Sequence, residues 1–178
     1  NIGEIMDKNK IIIIGLIIVI VALIAGIAMM LTGNGNSSGV DVAEGLQVYD
    51  FDSAFTMVVK DDAKFLKTWG DTPVGSFKTY FNKEDNYAVE LSESDYFANN
   101  IDFLSSIMND TDDYEIVEDG DFRIVKVLDK SDKVDTGSSE KFFTYKGATL
   151  KGNKLISLAS NDLDSLKEMG NSIKVNGE

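Results

Sequence analysis

The side chains of this 178-residue chain that could do chemistry are mostly carboxylates. There are 30 Asp and Glu against 17 Lys and Arg, a net charge of −13, and no His or Cys. Without His or Cys there is no Ser-His-Asp or Cys-His nucleophile, no His- or Cys-ligated zinc, no redox CxxC pair and no Cys-linked lipid anchor. The densest acidic run is Asn109-Asp-Thr-Asp-Asp-Tyr-Glu115, followed by Glu118, Asp119 and Asp121. Hard oxygen donors at this density suit Ca²⁺, but the spacing of an EF-hand loop is missing. Counted from Asp110, the fifth and sixth positions are Tyr114 and Glu115, where the sixth must be Gly. Counted from Asp129, they are Lys133 and Val134. The run is expected to be a solvated rim that keeps the protein soluble, with no metal or cofactor bound.

Two carboxylates across a cleft could run glycosidase-type acid–base chemistry, but 30 acids single out no pair, because the criterion is a distance in space. Ser157 and Lys154 are ordinary strand neighbours rather than a Ser-Lys dyad. No catalytic residue is assigned. The aromatic pairs Phe142-Phe143 with Tyr145, and Tyr80-Phe81, could face a sugar or an apolar ligand, yet on strands they are expected in the core. Trp69, the sole tryptophan, lies beside Gly70 and Asp71 in a stretch that reads as a loop. It is expected to anchor that loop by burial, and it becomes the contact residue if it is exposed. Asn36 and Asn109 head N-x-[ST] triplets and are candidate glycosylation sites outside a cell.

The acidity is not spread evenly. Residues 1–31 hold Glu4, Asp7, Lys8 and Lys10 and are neutral, so the remaining 28 acids and 15 bases carry the whole charge. That balance argues against nucleic acid as a partner. The run from Ile11 to Leu31, IIIIGLIIVIVALIAGIAMML, is 21 residues without a charge. As a helix it would span about 30 Å, the thickness of a hydrocarbon core. A buried core helix is disfavoured because a small domain cannot surround a helix that is apolar on every face. Against a cleaved signal peptide stand the length of the run and the lack of a clear A-x-A site. Lys8 and Lys10 precede the span and no base follows until Lys60, which puts the N-terminus in the cytoplasm and residues 32–178 outside. Met6-Asp-Lys-Asn-Lys resembles a natural start, so residues 1–5 are expected to be translated leader.

Residues 32–44 open with Thr-Gly-Asn-Gly-Asn-Ser-Ser-Gly and read as a flexible linker. Residues 45–178 then form one acidic extracytoplasmic domain, long enough to bury a core without disulfides. Its first strand is placed at 51–59, where Phe51, Phe55, Met57 and Val59 share a face. Residues 61–75 look irregular. Strands follow at 76–81 and 87–91, and then a helix capped by Ser94 with Phe97, Ile101, Leu104 and Met108 on one side. Asp119-Gly120 marks a hairpin between 114–117 and 122–128. Gly152-Asn153 marks another between 141–150 and 154–160. Asn161 is the expected cap of a last helix whose core face is Leu163, Leu166, Met169 and Ile173. Strands in runs with two helices predict an antiparallel α+β domain of six to seven strands.

In FTMVVKDDAKF (55–65), the helix beginning at Ser94 and GNKLISLASNDLDSLKEMGNSIKV (152–175), the chain resembles the PsbP-like fold family of small extracytoplasmic α+β domains. It departs from that pattern at Lys60, where a proline is expected. Its Ile/Asn/Asp-rich texture also resembles membrane-anchored surface proteins of methanogenic archaea. The resemblance implies a fold and no functional residues. The expectation is a non-enzymatic, membrane-anchored binding or envelope-associated module. The alternatives are a pilin-like filament subunit, which needs a helix unbroken through Thr32-Gly-Asn-Gly35, and a weak extracellular hydrolase.

Overall fold

The computed structural model describes residues 30–31, 42–73, 75–100, 102–137 and 139–176. The apolar run, apart from its last two residues, therefore lies outside the described residues, as do residues 1–10 and the linker up to residue 41. No helix among the described residues is long and apolar enough to cross a membrane. The elements in chain order are β1 (Met30–Leu31), β2 (Leu46–Phe51), β3 (Phe55–Lys60), β4 (Phe65–Thr72), β5 (Gly75–Asn82) and β6 (Tyr87–Glu93). Next come α1 (Asp95–Ala98), α2 (Phe103–Ile107), β7 (Tyr114–Glu118), β8 (Arg123–Val127), β9 (Lys133–Asp135) and β10 (Glu140–Phe142). The chain closes with β11 (Tyr145–Lys151), β12 (Lys154–Ser160), α3 (Leu163–Asn171) and β13 (Lys174–Val175).

The fold is α+β. A seven-stranded antiparallel sheet runs β4-β5-β6-β12-β11-β8-β7, and β1 adds a two-residue pairing to its β4 edge. Strand residues alternate between its faces. One face carries Phe65, Tyr80, Tyr87, Val89, Leu91, Ile124, Ile156 and Leu158, and it is covered by α3 and by a second sheet, β13-β3-β2. The other face carries two smaller apolar clusters. Phe103 and Met108 of the α1–α2 segment cover Val125, Ala148 and Leu155. Phe143 covers Phe81, Ala88 and Ala159, with Val134 of the β9–β10 hairpin alongside.

Several expectations change. The strand predicted at 51–59 is a hairpin, β2–β3, because Asp52 and Ser53 turn through positive φ (55° and 59°) while the Ser53 N–H donates to Asp50 Oδ1 at 2.6 Å. Phe51, Phe55, Met57 and Val59 are nevertheless all buried in one core, as their spacing implied. The helix from Ser94 breaks at Asn99-Asn100 into two short pieces, so among the described residues three helices stand where two were predicted for the domain. Asn and Asp compete with the helix ladder through their own side chains, and Asn99 Nδ2 donates back to the Asp95 carbonyl at 2.8 Å. The Ser94 cap is present, accepting from the Tyr96 N–H at 3.1 Å. The last helix is capped by Asp162, not Asn161. Asp162 Oδ1 accepts from the Ser165 N–H, whereas Asn161 Oδ1 receives the N–H and hydroxyl of Thr144. The strand predicted at 141–150 starts only at Tyr145, since Lys141 and Phe142 pair instead with β9.

Phe122 joins helix to sheet. Its ring lies over Gly147 of β11 and under Gly170 of α3, and a Cβ on either glycine would overlap it. Gly147→Ala and Gly170→Ala are expected to lower the unfolding free energy by about 1–3 kcal/mol through overpacking. Gly120→Ala, which meets open space, should stay within about 0.5 kcal/mol. Urea unfolding at constant m-value measures both. Equal midpoints for all three variants would contradict this packing.

Candidate contact surface

Trp69 sits on a strand, which corrects both the loop predicted for 61–75 and the expected burial. β4 pairs with β5 through eight consecutive residues, from Phe65↔Asn82 to Thr72↔Gly75. Thr68, Thr72 and the aromatic residues suit a strand, and Gly70 is tolerated for a packing reason. The ring of Phe77 fills the space its side chain would take, and a Cβ there would come 2.6 Å from Phe77 Cε1. Alternation puts Trp69 on the same face as Phe65 and Lys67. It is 47% exposed.

The charges beside Trp69 are organised by the β2–β3 turn. Trp69 is opposite Lys78 and Lys67 is opposite Tyr80. Asp52, in its left-handed conformation, reaches both lysines with one oxygen, Oδ2, at 3.0 Å from Lys78 Nζ and in direct contact with Lys67 Nζ. Desolvation acts to raise the Asp52 pKa, but the hydrogen bonds from Lys67 and Lys78 outweigh it and hold the carboxyl below the ordinary aspartate value. Lys67 Nζ also lies 5.4 Å from the centroid of the buried Tyr80 ring. Burial, followed by the Asp52 charge, pushes the Tyr80 phenol far above its usual range.

Beyond Trp69 the same end of the sheet carries Pro73, the β6–α1 junction and the β11–β12 turn. Here Gly75 lets β5 approach β6 closely, because a Cβ would collide with the Glu93 carbonyl. Pro73, Ser76, Glu93, Asp95, Tyr96 and Asn153 line an open hollow of about 510 Å³, and Tyr96 is 45% exposed at its rim.

The other sequence candidates fall elsewhere. Asn109 is exposed after α2, with its Oδ1 accepting from the Asp110 N–H at 3.0 Å. Asn36 lies outside the described residues. Carboxylates of the acidic run brace their own loop, as where Asp110 Oδ1 accepts from the Ile116 N–H at 2.7 Å. Among the described residues no three Asp, Glu, His or Cys are grouped to hold a metal. Tyr80, Phe81 and Phe143 are core residues, so these aromatics form no binding face.

Sequence reasoning missed Glu90. It lies on the outer face of β6, opposite Thr79 of β5 and Ser157 of β12. Burial drives its carboxyl above the ordinary glutamate range, against the opposing pull of the Lys146 charge and a Ser92 hydrogen bond. Lys146 is at the same time ion-paired with Asp132, which accepts from the Tyr114 hydroxyl at 2.6 Å. A charged residue among the apolar neighbours of YAVEL was the available signal. Because the folded state keeps a proton that the unfolded state releases, stability falls as pH rises from the ordinary glutamate value through the raised one. Glu90→Gln is therefore expected to melt above the wild type at neutral pH, with the gap closing near about pH 4. Thermal scans across pH measure this, and a lower melting point at neutral pH would count against it. Comparison of the chain with protein-family models, with curated proteins and with solved structures finds no match.

Proposed function

We propose that the chain is a single-pass, membrane-anchored module that acts by binding rather than by catalysis. In this reading the apolar run that begins at Ile11 spans the membrane with the N-terminus in the cytoplasm, and its last two residues, Met30 and Leu31, have already left the span to pair with β4. The acidic α+β domain is held outside, where it meets a protein or cell-envelope partner. The observation that carries the reading is Trp69. A half-exposed indole leaves apolar area in water at a cost of about 25 cal/mol per Å², and here the strand beneath it is held rigid. Phe77 packs behind the strand at Gly70, and Asp52 ties down the lysines on either side. Rigid aromatic groups of this kind bind with little loss of side-chain entropy.

The hydrolase alternative gains nothing from Glu90. Its cross-strand neighbours are hydroxyls, and Asp132 is committed to Lys146 and Tyr114. A photo-crosslinking amino acid at position 69, introduced in the full chain in intact cells, is expected to give a defined adduct. The same group at Val117 or Leu128, which are exposed at the β7–β8 edge of the sheet, the edge opposite β4, should give none. Equal labelling at all three positions would remove the assignment. Trp69→Ala should abolish binding while changing stability by less than about 1 kcal/mol.

A further inference from the structure

The β1 pairing carries the contact surface one step further, on the reading that the apolar run ahead of β1 is the membrane anchor. Met30 pairs with Lys67 and Leu31 with Leu66, antiparallel. These are the last two residues of the apolar run, so the anchor ends before Met30 and passes into the β4 edge without an intervening linker. The direction of the pairing also matters. In the antiparallel pairing the N-terminal side of Met30 faces the Thr68 end of β4, so on this reading the part of β4 beyond Lys67 is the part nearest the membrane.

Trp69 lies two residues along that direction, about 7 Å from the pairing at strand spacing. This distance is within the headgroup layer of a bilayer. Pro73 and the exposed Tyr96 share the same end of the sheet. Trp and Tyr are the side chains that settle at a membrane interface, with the ring toward the acyl chains and the polar atom toward water. Lysines with apolar stems, such as Lys67 and Lys78, suit that layer as well. Asp71 and Asp95 share this end, so the contact depends on aromatic rings rather than on net positive charge.

We infer that the sheet end bearing Trp69 and Tyr96 rests on the lipid surface of the membrane that its own anchor enters. The partner of the contact surface is then the bilayer interface, and the domain is docked there rather than suspended on the linker.

Trp69 is the sole tryptophan, so its fluorescence in the full chain reports this contact directly. The chain is reconstituted in phosphatidylcholine vesicles, with and without phosphatidylglycerol, and floated after an alkaline carbonate wash. Emission is expected to shift to shorter wavelength in both vesicle types. Lipids brominated near the headgroup should quench it more than aqueous iodide does. Replacing Met30 and Leu31 by proline removes the β1 donors and should restore iodide quenching without loss of flotation. If the protein floats while Trp69 stays open to iodide and unquenched by lipid, the docking is overturned and the anchor stands. If Trp69 is shielded from both quenchers, its partner is protein, which also overturns the docking. Failure to float removes the anchor reading and this inference with it.

Discussion

One aromatic cluster fixes the geometry on which the contact surface depends. Phe51 and Phe55 stack at 4.6 Å with an interplanar angle of 2°. Phe51 meets Tyr80 edge-on at 5.0 Å, and Phe65 meets Tyr87 at 5.8 Å. Each such pair is worth roughly 0.5–1.5 kcal/mol beyond the area it buries. The stack also has a directional effect. Phe51 and Phe55 can lie face to face only if the chain reverses between them, and this holds Asp52 and Ser53 in left-handed backbone that non-glycine residues otherwise avoid. In that conformation Asp52 bridges Lys67 and Lys78, and the bridge secures the strand that presents Trp69. Core packing, turn, ion pair and exposed indole thus form one line of dependence.

The outer face of the sheet is built differently. It is covered at two places, by the α1–α2 segment and by Phe143 with the β9–β10 hairpin, while the row between them is polar and small. Thr68, Thr79, Glu90, Ser157 and Ala148 succeed one another across five strands. Glu90 is the acid in this row, and Lys146 is shared between its field and the direct bond to Asp132. The two coverings are therefore joined through polar contacts instead of a continuous apolar layer.

Where the fold was legible in the sequence, the signal was local. YAVEL with the preceding β5 strand, the Asp119-Gly120 and Gly152-Asn153 turns, and the Leu163/Leu166/Met169 face each announced an element whose partner lies next to it in the chain. The misreadings needed information from a distance. Residues 65–72 contain Gly and four charged or hydroxylated side chains without clean alternation, and they become a strand because Phe77 supplies the ring that Gly70 makes room for. The break at Asp52-Ser53 is invisible to a period-two pattern, since the aromatic residues on both sides of it face the same core. β13 pairs with β3 across more than 110 residues of chain, and no short-range pattern could show that. Trp69 was identifiable as a residue type but not as an exposed one, because a local pattern does not say which part of a sheet face other elements cover.

The β1–β4 contact also has a mechanical side. Two residue pairs at a sheet edge, loaded from one end, come apart one after the other, so they resist a pull only weakly. The next element to take load is β2, paired to β3 along six residues and backed by the aromatic stack. A pull on the domain would thus meet first a weak catch at β1 and later a firm stop at β2. This arrangement lets one edge of the sheet give and reseat without unfolding the core.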